Sequence, residues 1–188
     1  MSAPALLVID VQRAFDDPAW GPRNNRAAER NVLRLLTAWR QHGSPVVHVR
    51  HRSTSPEGLF RPGTPAFEFK PEARPRADEL VVEKTVNSAF IGTDLEAVLR
   101  ARGLDRLVIA GFTTDHCCSS TARMAGNLGF ATTIVSDATA TFDRELEGQT
   151  IPAETIHRAA LASLAGEVAD VAATDETIAG LEDSADAR

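Results

Sequence analysis

Short runs of β-branched and other apolar residues alternate with segments of helical hydrophobic period along almost the whole chain. That alternation marks repeated βαβ units, which build a parallel sheet covered by helices, an α/β fold. Six runs have strand character: 5–9 (ALLVI), 45–49 (PVVHV), 80–84 (LVVEK), 106–110 (RLVIA), 131–135 (ATTIV) and 168–172 (VADVA). Between the first two, Ala28, Val32, Leu35, Leu36 and Trp39 recur at helical spacing, and Gly43 follows as a C-terminal stop. Between the third and fourth, Thr93 and Glu96 read as a capping box for a helix that buries Leu95, Val98 and Leu99 and closes at Gly103. A third helix is expected from about Cys117 to Leu128, before Gly129, and a fourth from about Ala153 to Leu164, with Pro152 in its first turn.

A chain of 188 residues is in the one-domain range, so a single domain over 1–188 is expected. Its 20 basic and 26 acidic residues give a net charge of −6, and the basic ones are scattered, which argues against a nucleic-acid partner. The apolar run Ala5 to Ile9 is cut off by Asp10, too short for a signal-peptide core or a membrane span. Two cysteines cannot make a disulfide framework, so a reducing, cytoplasmic setting is expected. One stretch departs from the alternation: residues 51–78 carry five prolines and no period, as expected of a long loop that serves as a lid, a binding loop or an assembly contact. The acidic segment of small residues at about 180–188 reads as a frayed tail.

Open parallel sheets bind ligands outside the carboxyl ends of their strands, so polar residues that follow strands are the first candidates for chemistry. Asp10 ends the first strand, Lys84 ends the third, and Cys117 lies just after the fourth in GFTTDHCCSS. A nucleophilic cysteine needs a cation, a base or a helix N-terminus to favour its thiolate. Lys84 supplies a cation, Asp10 a proton acceptor, and Thr113, Thr114 and Asp115 are N-cap types that place Cys117 in a first turn. Each of the three has an ordinary structural alternative: a cap, a lysine reaching solvent, an inert buried thiol. Helical spacing does not separate Cys117 from Cys118, since each begins a stripe of its own.

Four stretches, LLVIDVQRAF, EKTVNSAF, GFTTDHCCSSTARMAGNLGF and VSDATATF, resemble in order and spacing the isochorismatase-like cysteine hydrolases, a family that includes nicotinamidases and other small amidases and ureidases. The resemblance covers nearly the whole chain. It implies a three-layer α/β/α sandwich around a six-stranded parallel sheet ordered 3-2-1-4-5-6, assembled as a homodimer or larger homo-oligomer. It implies Cys117 as nucleophile through the pattern Gly-x-x-Thr-x-x-Cys from Gly111, Asp10 as base and Lys84 as third catalytic member. It also implies a cis peptide near Phe112 and Thr113, with the backbone N–H groups of Thr113 and Cys117 forming an oxyanion hole.

Departures from the family pattern narrow the expectation. Nicotinamidases of the family hold a metal through an aspartate and histidines after the second strand. Here the stretch reads VVHVRHRS, and His48 and His51, three apart on a strand, point to opposite faces. No metal and no organic cofactor is expected. Phe15, Trp20, Phe60 and Phe90 are candidate pocket walls, His51 a pocket-lining residue, and Arg50, Arg61 and Asn87 candidates to orient a polar group on a small-molecule substrate. The expected reaction is hydrolysis of the C–N bond of a small amide, carbamoyl or ureido compound through a thioester. The alternatives are a vinyl-ether hydrolase in which the cysteine is a spectator, and a non-catalytic thiol redox or scaffold protein that uses Cys117 and Cys118 as a pair.

Overall fold

The computed structural model describes residues 3–186. Among them the strands are β1 (Ala5–Ile9), β2 (Val46–His51), β3 (Leu80–Lys84), β4 (Arg106–Phe112), β5 (Ala131–Ala140), β6 (Arg144–Leu146), β7 (Gln149–Ile151) and β8 (Asp170–Ala172). The α-helices are α1 (Ala28–Gln41), α2 (Leu95–Ala101), α3 (Ser119–Asn127), α4 (Ala153–Ala162) and α5 (Thr174–Asp186). Six strands make one parallel sheet in the order β3-β2-β1-β4-β5-β8. These are the six expected strands in the expected order, since β6 and β7 pair only with each other.

The central strand explains why the sequence read as it did. All five residues of β1 are fully buried: Leu6 and Val8 enter one apolar cluster, while Ala5, Leu7 and Ile9 enter the other. A strand covered on both faces has no polar alternation. The first cluster takes Val32, Leu35, Leu36 and Trp39 from α1 and Leu181 from α5; the second takes Leu95 and Leu99 from α2, Ala122 and Ala125 from α3 and Leu161 from α4. Helices therefore cover both faces, giving three layers. Burial of Leu35 or Leu36 contributes about 1.5–3 kcal/mol each, and the Trp39 indole N–H, which would otherwise be costly inside, donates to Pro4 O at 2.8 Å.

Several local expectations need correcting. Thr93 does not form a capping box with Glu96. Its hydroxyl accepts from Leu95 N–H and donates to Ala89 O, while Glu96 pairs with Arg100 one turn on. Pro152 precedes α4 as its N-cap instead of sitting in the first turn. The segment expected to fray from about residue 180 continues as α5 to Asp186, held by Leu181, which is 2% exposed; residues 187 and 188 lie outside the described residues. The hairpin β6–β7 was not anticipated. Its two-residue turn, Glu147 and Gly148, has positive φ at both positions, the geometry that suits a tight hairpin, although Glu is an uncommon residue there.

The sheet order reverses between β1 and β4, so a crevice opens at their carboxyl ends. Asp10 follows β1, His51 ends β2, Lys84 ends β3, and the turn carrying Cys117 follows β4. No described helix is long and apolar enough to cross a membrane.

Candidate functional site

Gly111 is the residue that lets β1 and β4 close on the site. It adopts φ +127°, and a Cβ there would run into the backbone carbonyl of Ile9, the residue before Asp10. The Phe112–Thr113 peptide is cis. Beyond it the chain winds into a single π-helical turn, Thr114–Cys118, in which Cys118 N–H reaches back five residues to Thr113 O at 3.1 Å; α3 follows directly. The cap side chains expected to start a regular helix are engaged elsewhere. Thr114 Oγ1 lies 2.8 Å from the Nδ1 of buried His157, and Asp115 is held by Thr141 and Arg144.

Asp10, Lys84 and Cys117 meet. Lys84 Nζ lies 2.6 Å from Asp10 Oδ2 and 3.2 Å from Cys117 Sγ, with the Lys84 and Asp10 side chains 0% and 1% exposed. Asp10 itself occupies the left-handed region at φ 51°, which Asp tolerates better than most residues. Its two carboxylate oxygens have no aligned hydrogen-bond donor among the described residues, so the 2.6 Å contact acts as an ion pair. The third contact of the ammonium is His51 Nδ1, at 3.2 Å.

Burial dominates the electrostatics and changes one expectation. It pushes the Asp10 carboxyl up, and the neighbouring Lys84 only partly offsets this. Burial acts against charging Lys84, but the Asp10 and Cys117 charges outweigh it and hold the ammonium more firmly than usual. For Cys117, burial and then the Asp10 charge raise the thiol well above its ordinary value, with Lys84 opposing. The resting site therefore holds a thiol, not the thiolate expected from a cation and a helix start. In keeping with that, Cys117 Sγ sits 3.9 Å from Asn87 Oδ1 as a weak donor.

The three groups lie at the base of a cavity of about 180 Å³ lined by Asp10, Phe15, Trp20, His51, Phe60, Asn87, Thr113, His116 and Cys117. That is below the roughly 300–1,000 Å³ usual for drug-sized ligands, so the cavity suits a small molecule. Phe15 packs on Trp20 and Phe60 at ring-centroid distances of 5.1 Å each, which makes one wall aromatic. Phe15, Trp20, His51, Phe60 and Asn87, all pocket candidates from the sequence, line this cavity.

Three expected substrate contacts do not. Arg50 precedes His51 on β2 and so points to the other side of the strand, where it pairs with Glu83 and stacks over Phe67 at 4.4 Å. Arg61 is exposed on the loop and donates to Pro56 O at 2.6 Å. Phe90 is a core residue stacked on Phe130 at 5.7 Å. Two residues were missed: exposed His116, beside Cys117, and Gln12, whose side chain holds the His51 backbone.

The donor set does not fit the metal that the resemblance brings with it. His48 lies on the face of β2 away from the cavity, its Nε2 2.8 Å from Glu79 Oε2. Among the described residues, Asp10, His51 and Cys117 bring one ligand atom each within 4.8 Å of one another. The Lys84 ammonium contacts all three, so the place of a cation is already taken by a fixed one.

Comparison with known proteins bears on the family and the fold. The Isochorismatase domain model matches residues 4–176. The isochorismatase family protein YrdC of Bacillus subtilis is 46% identical over 93% of this chain and 94% of its own. The solved structure of an isochorismatase-family protein from Chromobacterium violaceum superposes with a TM-score of 0.94 at 47% identity, covering 96% of this chain and 94% of the other. Maleamate amidohydrolase of Pseudomonas putida is 32% identical over 71% of this chain and 70% of its own. Sheet order, site position and these matches together identify the chain as a member of the isochorismatase family of hydrolases.

Proposed function

We propose that the protein is a cysteine hydrolase that cleaves the C–N bond of a small amide, carbamoyl or ureido compound, with Asp10, Lys84 and Cys117 as its catalytic triad. The observation that carries this reading is the Lys84 ammonium in contact with both Asp10 Oδ2 and Cys117 Sγ beneath a small cavity. Maleamate amidohydrolase, one of the similar proteins, supports it.

In the resting site one carboxylate balances one ammonium. Transfer of the thiol proton from Cys117 to Asp10 leaves a thiolate beside the same ammonium, so the buried charge is unchanged in sum. The raised carboxyl and the raised thiol are then two views of one coupled proton. As the proton moves, sulfur attacks the carbonyl carbon and the carbonyl electrons pass to its oxygen. The N–H groups of Thr113 and Cys117, the pair that the family resemblance implies, serve as donors to that oxyanion. Collapse breaks the C–N bond, and the departing nitrogen takes the proton from Asp10. Water next gives a proton to Asp10 and its oxygen to the acyl carbon. Sulfur leaves the thioester, an acid is released, and the proton returns to Cys117.

A screen for released ammonia over small amides, carbamoyl amines, ureido acids and nicotinamide tests this reading. Turnover is expected with at least one of them, falling about a hundredfold or more in Cys117→Ala. A Cys117→Ala protein that keeps full turnover would instead support the ether-hydrolase alternative and end the proposal.

A further inference from the structure

The Lys84 ammonium forms an ion pair with Asp10 Oδ2 and hydrogen bonds with Cys117 Sγ and His51 Nδ1. An imidazole nitrogen accepts only through a bare lone pair. The bond at 3.2 Å therefore leaves Nδ1 without a proton and puts the ring's single proton on Nε2. Burial first, and the Lys84 charge second, hold His51 neutral by lowering it to about pH 4. The ring is also fixed in place. Gln12 holds the His51 backbone at both polar groups, and the Phe60 ring meets the imidazole edge-on at 5.2 Å. The imidazole lines the cavity, and the hydrogen bond its ring makes within the protein is at Nδ1. A ring nitrogen of His51 lies within 4.8 Å of Cys117 Sγ, so the imidazole stands beside the sulfur in the same cavity.

We propose that His51 is a substrate-orienting donor, locked by Lys84 in one tautomer so that its Nε2–H meets a hydrogen-bond acceptor on the substrate beside the scissile carbon. This rests on the hydrolase reading above for the nature of the substrate, though not for the tautomer. It also narrows the substrate class. Asp10 is the one carboxylate lining the cavity and is paired with Lys84, so the walls offer a donor without a free anion. An acyl compound carrying a carbonyl or carboxylate oxygen next to the reacting group fits, and a cationic one does not.

The rival is a purely structural His51 that only steadies Lys84, and two side chains separate these roles. Asn reproduces the position of Nδ1 and can still accept from Lys84; Gln reproduces the position of Nε2 and can donate into the cavity. The probes are iodoacetamide, which carries a carbonyl oxygen beside the carbon that Cys117 attacks, and iodoethane, which carries no oxygen or nitrogen. The expected result is that His51→Asn and His51→Phe slow iodoacetamide about tenfold relative to iodoethane, the effect of one hydrogen bond, and that His51→Gln recovers most of the ratio. Equal slowing of both reagents, with rescue by Asn in place of Gln, would show a structural role and overturn the proposal. Neither rate needs turnover, so the outcome is separate from that of the ammonia screen. On the unsubstituted protein, 15N NMR of the imidazole at pH 7 is expected to show Nε2 protonated and Nδ1 bare. A protonated Nδ1 overturns the proposal even if no variant folds.

Discussion

The side-chain amide of Gln12 bonds both backbone polar groups of His51: its Oε1 accepts from His51 N–H at 2.8 Å, and its Nε2 donates to His51 O at 3.1 Å. The second N–H of the same amide donates to Phe67 O at 2.9 Å, so a fully buried glutamine ties the end of β2 to the long loop. Gln12→Met keeps the volume but strands these groups, at about 1–3 kcal/mol for each one left buried and unpaired. The expected result is a melting temperature lower by several degrees, since about 1 kcal/mol moves a domain of this size by roughly 2–4 °C. Calorimetry on the two proteins checks it, and an unchanged melting point would mean the clamp carries no stability.

Because burial and Asp10 raise the Cys117 thiol, its alkylation is expected to show no low-pH thiolate. Asp10 takes the thiol proton as sulfur attacks, so the rate with iodoacetamide should be level through pH 7, 8 and 9. Cys118 is fully buried and should stay unlabelled in the native protein. Mass spectrometry over a pH series reads both. A rate that climbs steadily through pH 7, 8 and 9 would mean that bulk base removes the proton in place of Asp10 and would contradict the coupled-proton account.

The main catalytic candidates were legible because strand ends are legible. Asp10 and Lys84 terminate apolar runs, and a parallel sheet brings such ends to one edge whatever the loops do. Arg50 was misplaced although strand alternation decides it: if His51 faces the cavity, its neighbour on β2 cannot. Arg61 and Phe90 depend on the path of irregular chain, which no period encodes. Gln12 was hidden for a different reason. Its partners are backbone groups 39 and 55 residues away, and side-chain type gives no hint of them. His116 could have been found, since it precedes Cys117 on the same tight turn and must lie near whatever Cys117 faces.

Lys84 fills the place of a cation among Asp10, His51 and Cys117, which predicts what happens when it is removed. Lys84→Met leaves a carboxylate oxygen, an imidazole nitrogen and a thiol sulfur within 4.8 Å of one another, a three-ligand set suited to zinc with a position open. The variant is expected to be inactive on amides and to bind one zinc ion in equilibrium dialysis, while the unsubstituted protein binds none at this site. Zinc uptake by the unsubstituted protein that Cys117→Ala abolishes would refute the argument that the ammonium excludes a metal.

Acid should weaken the fold in two stages. His48, His51 and His157 are each held neutral, burial being the main cause, so each takes its proton more readily in the unfolded chain, near pH 6.5. Unfolding then takes up protons as the pH drops below that value, and stability declines; for His51 the loss develops below pH 6.5 and is complete once the pH has fallen below about 4. Glu29 and Glu79 behave oppositely in sign of shift. Burial alone would raise them, but Arg23 and Lys70 around the first, and Arg40 beside the second, lower each to about 2. Their stabilisation is present above the unfolded carboxyl value near 4.5 and is lost as the pH falls toward 2. Urea midpoints at pH 8, 6, 5, 4 and 3 should decline across both windows. A midpoint that stays flat from pH 7 to pH 5 would exclude the histidine stage.

The cavity wall and the nearby arginines make opposite predictions. Phe60 meets His51 at 5.2 Å, Phe15 at 5.1 Å and Trp20 at 6.4 Å, so Phe60→Ala removes three ring contacts of about 0.5–1.5 kcal/mol each and opens the aromatic side of the cavity. It should raise KM about tenfold on whichever amide the screen selects, with a smaller change in kcat, because the lost contact positions substrate and does not touch the reacting bond. Arg61 is exposed and bonded within its own loop, and Arg50 is engaged by Glu83 and Phe67 on the far side of β2. Arg61→Ala and Arg50→Ala should therefore leave kcat/KM within about twofold, the ordinary consequence of a surface change away from the site. Steady-state kinetics on the three variants decide it: a tenfold loss in either arginine variant with KM unchanged in Phe60→Ala would mean that the loop closes over the cavity in a geometry other than the one described.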